Sequence, residues 1–288
     1  MSRYEQVLNC TTVGRLLPPQ TILATAKRTG FKWVELNSMQ TRFLNMHDAS
    51  EVKDAFAEAG VSLATFFVPV AWREVEVVFE ADLVKYDELL TKLEPTGLEH
   101  SVTWLPTNFP TPPAETREWV GKRFKRIAEV NAAHGLKFGL ESIGEAHYRE
   151  EPGHTFIYTP GKMQEFATEI ADNVGVVVDT YHWHCAGETT ADLAALSPDR
   201  LLYVHMNDAR PGPRDGLRDN ERLFPGDGVI DINGFLDGLA DCGYRGRIAV
   251  ELDSYLGTTS GPGALATRSR ETLDAVLATW EKHRAALV

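Results

Sequence analysis

The sequence contains three cysteines, Cys10, Cys185 and Cys242, among 288 residues. They are far apart and none belongs to a C-x-x-C pair, so the sequence indicates neither a disulfide framework nor a cysteine zinc site. A reducing cytosol is therefore the expected setting. The amino terminus, MSRYEQVLNC, lacks an apolar signal-peptide core, and nowhere do 18 apolar residues follow one another. These absences predict a soluble protein without a targeting or membrane segment.

Basic runs are absent as well. The chain carries 29 Lys and Arg residues against 41 Asp and Glu residues, which gives a formal net charge of -12. Such a charge repels a nucleic-acid backbone unless a local patch reverses it, so nucleic acid is not an expected partner. A small neutral substrate fits this balance better.

Short apolar segments alternate with helical segments along the whole chain. The predicted strands are Val7–Thr12, Phe31–Leu36, Val61–Val68, His100–Leu105, Phe138–Glu141, Val174–Asp179, Leu201–His205 and Ile248–Glu251. The predicted helices include Ala49–Ala59, Glu80–Leu93, Glu115–His134, Pro160–Ala171 and Ala264–Arg284. Eight strands with interleaved helices predict a single (β/α)8 barrel, with residues 1–288 as one domain. A doubly wound open sheet is the alternative that strand counting leaves open.

The stretch Val174–His184, VGVVVDTYHWH, is typical of a strand buried on both faces that ends at a polar site. Asp179 stands where the apolar run stops, and His182 follows three residues later. Barrels carry their chemistry at the carboxyl ends of their strands, so this pair suits a divalent metal or a polar ligand. Taken alone, the stretch fits equally well a capping aspartate followed by a surface histidine.

Four consecutive strands end in the same way. Strands five to eight end in Glu141, Asp179, His205 and Glu251. Polar residues are common at strand ends, but one metal-capable side chain on each of four successive strands indicates a common site. This mostly oxygen set predicts one divalent cation and favours manganese, magnesium or cobalt over a closed structural zinc site, although zinc is compatible with it.

The segments GLES, VVVDTYHWH, VHMNDAR and AVELD together resemble the xylose isomerase-like barrels, the sugar phosphate isomerase/epimerase superfamily that also includes endonuclease IV-type enzymes. The PGDG segment at residues 225–228 is similar to the P-G-x-G turn of that family. The resemblance covers essentially the whole chain. These motifs are specific for the superfamily and say little about the substrate.

The resemblance implies that Glu141, Asp179, His205 and Glu251 bind the metal. It also implies that His182 and Arg210 bind substrate oxygens. Barrels of this type often pair through their outer helices, which predicts a homo-oligomer. No glycine-rich phosphate cradle stands out, which favours a free sugar or polyol as the substrate.

The predicted activity is that of a sugar or polyol isomerase or epimerase. A divalent cation that polarises a carbonyl makes the adjacent C–H proton easier to remove. Glu141 and Glu251 are the candidates for moving this proton, as acid/base residues on either side of the substrate. Pure metal ligation is the alternative role for both. Glu35 and His147 are further candidates for substrate contacts, and Asp208 is a candidate for orienting His205.

Of three alternatives, the sequence leaves two open and argues against the nuclease. A metal-dependent dehydratase or lyase acting on a cyclic polyol, keto-sugar or keto-acid needs the same four ligands. A DNA-repair nuclease needs extra histidines from early strands, and His100 precedes its strand, at the wrong end of a barrel. A non-catalytic partner subunit would keep the metal cluster without turnover.

Overall fold

Eight parallel strands form the centre of the protein. The structure, a computed structural model, describes residues 3–252 and 260–286. The barrel strands are β1 Glu5–Asn9, β2 Trp33–Leu36, β3 Ser62–Phe66, β4 His100–Leu105, β5 Lys137–Ser142, β6 Val174–Asp179, β7 Leu201–Met206 and β8 Arg247–Val250. Their order in the sheet is β3-β2-β1-β8-β7-β6-β5-β4.

The two edge strands of this sheet meet. Phe67 and Val102 form a parallel bridge between the end of β3 and β4, and the N–H of Val68 donates to the carbonyl of Val102 at 2.9 Å. The sheet therefore closes into a single (β/α)8 barrel, as predicted, and the open-sheet alternative is wrong.

Helices surround the barrel. They are α1 Cys10–Gly14, α2 Pro19–Thr29, α3 Ser38–Leu44, α4 Ala49–Ala59, α5 Glu76–Leu93, α6 Pro113–Ala133, α7 Ala146–Glu150, α8 Pro160–Ile170, α9 Thr180–Ala186, α10 Thr190–Ala194, α11 Ile232–Asp241 and α12 Pro262–Ala286. A short antiparallel pair, Asn108–Phe109 with His154–Thr155, joins two loops. Among the described residues, no helix combines the length and the apolar character that crossing a membrane requires.

Alternate residues on each strand face the inside of the barrel. On β6, Val176 and Val178 belong to the large core formed with the helices, whereas Val177 belongs to a separate cluster. Because successive side chains on a strand point to opposite faces, this cluster fills the barrel interior. Its buried members are Val7, Ala64, Val102, Val177, Tyr203 and Ala249. The interior is therefore packed below the strand ends, as in barrels that bind their ligands at the carboxyl end.

Several predicted boundaries were wrong for local reasons. The first strand was predicted to reach Thr12, but β1 ends at Asn9, because the Asn9 side chain accepts from the N–H of Thr12 and caps α1. Helix α5 begins at Glu76, four residues before the predicted start at Glu80. The short helices α1 and α9 and the longer α11 were not predicted.

One ionic contact links the ends of α5 and α6. His134, which follows α6, places Nε2 at 3.0 Å from Asp87 and Nδ1 at 3.1 Å from Glu94. Burial lowers the pKa of His134, but the hydrogen bonds and charges of the two carboxylates outweigh this effect and raise it above its ordinary value. When it is protonated, the imidazole donates to both carboxylates and so joins the two helices.

We expect His134→Gln to destabilise the protein more at acidic than at alkaline pH. Because the folded-state pKa is raised, the stabilisation is complete below the unfolded pKa of about 6.5 and is lost as the pH rises through the folded value. The carboxylates of Asp87 and Glu94 are more than half exposed, so the difference amounts to about 1 kcal/mol. Urea unfolding at pH 6 and pH 9 measures it, with the exposed His154→Gln as control. An equal loss at both pH values would contradict the link.

Candidate metal centre

Four side chains converge at the carboxyl end of the barrel. Glu141 lies on β5, Asp179 ends β6, His205 lies on β7 and Glu251 directly follows β8. Asp179 and His205 are paired in register across neighbouring strands. One ligand atom from each of the four residues lies within 4.8 Å of the others, and all four side chains are buried. The structure therefore brings the four predicted ligands into one group, which we call the metal cluster.

The donor set of the metal cluster fits a single divalent cation. Bonds of about 2.0–2.6 Å to oxygen and nitrogen place the ligand atoms of one ion at most about 4–5 Å apart, which matches the observed spread. Three carboxylates and one imidazole form a hard, mostly oxygen set that both magnesium-like ions and zinc accept. The cluster is thus a site able to hold a metal, and its geometry leaves the choice of metal open.

The buried carboxylates give the metal cluster an excess of negative charge, which favours a bound cation. Burial alone lowers the pKa of His205, but the charges of Glu251, Glu35 and Glu141 outweigh it and hold this pKa well above the ordinary value. Burial raises the pKa of Glu251 to about 7, against the opposing effects of His205 and Arg222. A proton on these groups compensates excess negative charge, and a divalent cation supplies the same compensation more strongly.

Asp179 has two separate tasks. One oxygen, Oδ1, accepts from the N–H groups of Tyr181 at 2.7 Å and His182 at 3.0 Å, which caps α9. The other, Oδ2, accepts from the Asn207 amide at 2.8 Å and from Nη1 of Arg222 at 3.0 Å. The structure therefore shows the capping role, and Oδ2 stays directed at the polar groups of the cluster, so the metal-binding role of Asp179 stays a prediction.

A second group of polar side chains adjoins the metal cluster. Its members are Glu145, His182 and Asp219. Nδ1 of His182 lies 2.9 Å from Oε2 of Glu145, and both side chains are almost fully buried. Asp219 accepts from Arg222 at 2.6 Å. Its three members stand in the segments that follow β5, β6 and β7, so the group continues the row of polar side chains beyond the strand ends.

Arg222 connects the two groups. Its Nη1 donates to Oε2 of Glu251 at 2.7 Å, and its Nη2 lies 3.1 Å from Nε2 of His182. The guanidinium is nearly fully buried, and the surrounding carboxylates outweigh the effect of burial and raise its pKa well above the ordinary value. Arg222 therefore carries a fixed positive charge at the edge of the metal cluster.

Arg210, the arginine expected at the site from the sequence, has different neighbours. It donates from Nε to Glu221 at 2.9 Å and from Nη2 to the carbonyl of Gly216 at 2.8 Å, and its side chain is 39% exposed. Its role in substrate binding stays a prediction. Sequence reasoning missed Arg222, although the arginine stands only three residues before the PGDG turn.

Asp208 does not orient His205, contrary to the hypothesis drawn from the sequence. Its carboxylate accepts four backbone N–H groups, from Ala209, Gly226, Gly228 and Ile230, at 2.8–3.0 Å. A β-carbon on Gly228 would lie 2.2 Å from the carbonyl oxygen of Ala209. The PGDG turn therefore requires glycine at this position, and Asp208 fixes the turn.

The other sequence candidates have identifiable partners within the protein. Glu35 is 1% exposed and bonds to Asn9, Tyr203 and His205, and its contact with a substrate hydroxyl stays a prediction. The ring of His147 packs against Tyr148, with centroids 4.0 Å apart. His100 begins β4, at the opposite end of the barrel, as predicted.

This geometry agrees with a family comparison. The model of the xylose isomerase-like TIM barrel family matches residues 23–276. The chain belongs to this family. The match covers all four residues of the metal cluster. It does not by itself assign a role to any of them.

Two curated relatives indicate which enzymes the chain is similar to. The inosose isomerase of Halalkalibacterium halodurans is 25% identical over 241 residues, which cover 80% of this chain and 81% of the relative. The inosose dehydratase of Klebsiella pneumoniae subsp. pneumoniae is 32% identical over 152 residues, which are 47% of this chain and 48% of the relative. The relatives are thus metabolic enzymes of two reaction types.

Two solved structures have the same fold. A xylose isomerase domain protein from Alicyclobacillus acidocaldarius superposes with a TM-score of 0.88 at 29% identity, covering 96% of this chain and 99% of that protein. The IOLI protein, whose structure holds a zinc atom, superposes with a TM-score of 0.82 at 19% identity, covering 96% and 99%. At 19% identity the likeness to IOLI concerns the fold alone.

We expect the protein to bind one divalent cation and to become more stable with it. At a free cation concentration 100 times the Kd, the gain is about 2.7 kcal/mol, which corresponds to roughly 5–10 °C in Tm. Because the pKa of Glu251 is about 7, binding should weaken as the pH falls below 7, where protons compete for this ligand. Calorimetric titration of chelator-treated protein with Mn²⁺, Co²⁺ and Zn²⁺ at several pH values measures the binding. Thermal unfolding with and without the cation measures the gain in Tm.

Matched variants test the location of this site. Asp179→Asn should abolish the gain in Tm, whereas the exposed Glu118→Gln on α6 should leave it unchanged. An unchanged gain in Asp179→Asn would place the cation elsewhere.

Proposed function

We propose that this protein is a divalent-metal-dependent isomerase or epimerase of a small sugar or polyol ketone, with inososes as the first substrates to test. The convergence of Glu141, Asp179, His205 and Glu251 within 4.8 Å carries the proposal. The name of the Halalkalibacterium relative, inosose isomerase, supports the substrate class. The net charge of -12 is consistent with a neutral substrate.

The reaction in this proposal begins by removing a proton from the carbon next to a carbonyl. A divalent cation in the metal cluster would withdraw electrons from the carbonyl oxygen and so make the neighbouring C–H more acidic. Glu251 would accept this proton on its carboxylate, and Glu141 in its acid form would donate a different proton to the carbanion. Glu251 then ends protonated and Glu141 ionised, and exchange with water restores both. A proton donated by Glu141 to the opposite face of the same carbon gives an epimer. A proton returned by Glu251 to the former carbonyl carbon, with the hydroxyl proton moving to the former carbonyl oxygen, gives an isomer.

Arg222 and His182 orient the substrate and stabilise charge in this scheme. The Arg222 guanidinium is held by Asp179, Asp219 and Glu251, so its N–H groups keep their positions when negative charge develops on a substrate oxygen. His182 is held by Glu145 and contributes a polar edge beside that guanidinium. Both side chains are nearly fully buried, so little reorganisation accompanies the reaction.

Dehydration of an inosose is the second candidate reaction. It uses the same proton removal, followed by loss of a β-hydroxyl as water, and the Klebsiella relative carries that activity in its name. Mass spectrometry of the product separates the two reactions. A loss of one water assigns the dehydratase reaction, and an unchanged mass assigns the isomerase or epimerase reaction.

We expect Glu251→Gln to suppress proton exchange far more than it weakens substrate binding. A positioned acid/base group contributes about 10²- to 10⁴-fold in rate, and the amide neither takes up nor releases the proton. NMR of inososes and ketoses in D₂O, with metal-loaded protein, measures exchange whatever the product. Glu118→Gln is the control and should exchange at the wild-type rate. Equal exchange by Glu251→Gln and wild type would remove Glu251 from proton transfer.

The two arginines should differ in their effect on turnover. We expect Arg222→Lys to lower kcat/KM by about 10²-fold, because lysine keeps the charge but loses the fixed N–H geometry. We expect Arg210→Lys to change it by less than about threefold, because its main partners are Glu221 and Gly216. Steady-state kinetics of both variants, with the substrate identified by the NMR exchange measurement, tests these two expectations. A larger effect at Arg210 would return the substrate role to that residue.

A further inference from the structure

Glu35 is a buried carboxylate directly behind the metal cluster. It is 1% exposed and lies on β2, while the residues it contacts come from other strands. Oε2 accepts from the Asn9 amide at 2.8 Å and from the Tyr203 hydroxyl at 3.1 Å. Both carboxylate oxygens lie 3.2 Å from Nε2 of His205. No part of the proposed reaction uses this carboxylate.

The strands are arranged to deliver Glu35 to this position. Asn9 is its partner in register on β1, so the two side chains lie side by side. On the other side, the register with β3 shifts between Val34 and Glu35, which leaves one extra residue in β3. A second shift, between β6 and β7, precedes Tyr203. Such irregularities re-aim side chains, and both lie next to members of this network.

The two nitrogens of His205 face different carboxylates. Nδ1 lies 3.0 Å from Oε1 of Glu141 and 3.4 Å from Oε2 of Glu251, so it points into the metal cluster. Nε2 points away from the cluster, toward Glu35. A cation bound at Nδ1 requires the proton on Nε2, and an Nε2–H group then donates to Glu35.

We propose that Glu35 is a positioning residue that fixes the tautomer and the ring orientation of His205 and thereby raises the affinity of the cluster for a divalent cation. The proposal rests on the metal site of the proposed function. Glu35 acts through His205 and contacts neither the cation nor the substrate. Its charge makes the imidazole a stronger electron donor, because the Nε2–H group is shared with a carboxylate.

A merely structural role for Glu35 predicts a different outcome. In that case removing the carboxylate lowers the stability of the metal-free protein and leaves cation affinity unchanged. The network gives a matched control, since Tyr203→Phe removes one partner of Glu35 but leaves the contact between Glu35 and His205 intact.

The test is the Kd for Co²⁺, measured with purified full-length protein by calorimetry and by the visible absorption of the bound ion. We expect Glu35→Gln to raise this Kd about tenfold and Glu35→Ala about 100-fold, in line with losses seen when the partner of a metal-bound histidine is removed. Tyr203→Phe should stay within about threefold of wild type. Circular dichroism of the metal-free variants checks folding, and Glu35→Gln, with nearly the same volume, serves if Glu35→Ala does not fold.

A second measurement asks whether Glu35 acts through His205. In a His205→Ala background, we expect Glu35→Gln to change the Kd by less than about twofold, because the imidazole that transmits its effect is gone. In zinc-loaded protein with ¹⁵N-labelled histidine, the His205 signal should show the proton on Nε2.

The outcomes separate the two proposals. If the wild-type protein binds no divalent cation, both the proposed function and this inference are overturned. If the wild-type protein binds the cation, three results would each overturn this inference alone. The first is a wild-type Kd for Glu35→Gln. The second is an equal rise in Kd from Glu35→Gln in the presence and in the absence of His205, and the third is a His205 proton on Nδ1.

Discussion

Burial of negative charge is the constraint on which the rest of this barrel depends. The carboxylates of Glu35, Glu141, Asp179 and Glu251 all lie at the same end of the barrel and are nearly inaccessible to water. Removing an ion from water costs several kcal/mol, so a group of this kind persists only with compensating charge and hydrogen bonds. Arg222 supplies part of that compensation, and a cation within the cluster would supply more. The packed apolar interior beneath keeps water out and makes each of these interactions stronger.

The sequence predicted the cluster well because strand periodicity is a local property. Glu141, Asp179, His205 and Glu251 each end or follow a predicted strand, and parallel strands bring such positions together. Arg222 was missed because its position depends on the path of a long loop that carries no periodic pattern. Glu35 was noticed as polar, but its partners come from β1 and β7, and the register shifts that aim it are invisible in one sequence.

The fold was predicted for the same reason, because the periodicity of strands and helices is a local property of the sequence. The alternation of strands and helices is strong enough to indicate a closed barrel, and the bridge between Phe67 and Val102 confirms the closure. Two of the errors concern the short helices α1 and α9, which begin at the side-chain caps Asn9 and Asp179. Both residues end a strand and start a helix, so a pattern averaged over several residues cannot separate the two elements.

The loop that carries Arg222 is anchored at both ends, which determines where its length can change during evolution. The backbones of Asp208 and Leu223 exchange two hydrogen bonds of 2.8 Å, and the Asp208 carboxylate fastens the turn beyond. The segment between Asp208 and Leu223 is a loop whose two ends are hydrogen-bonded to each other, and Arg222 lies next to one of these ends. Leu217 is buried in the core and the Arg218 carbonyl accepts from the Tyr181 hydroxyl, whereas residues 211–215 are exposed. Insertions or deletions at 211–215 would therefore change the rim of the barrel while the Arg222 guanidinium keeps its place.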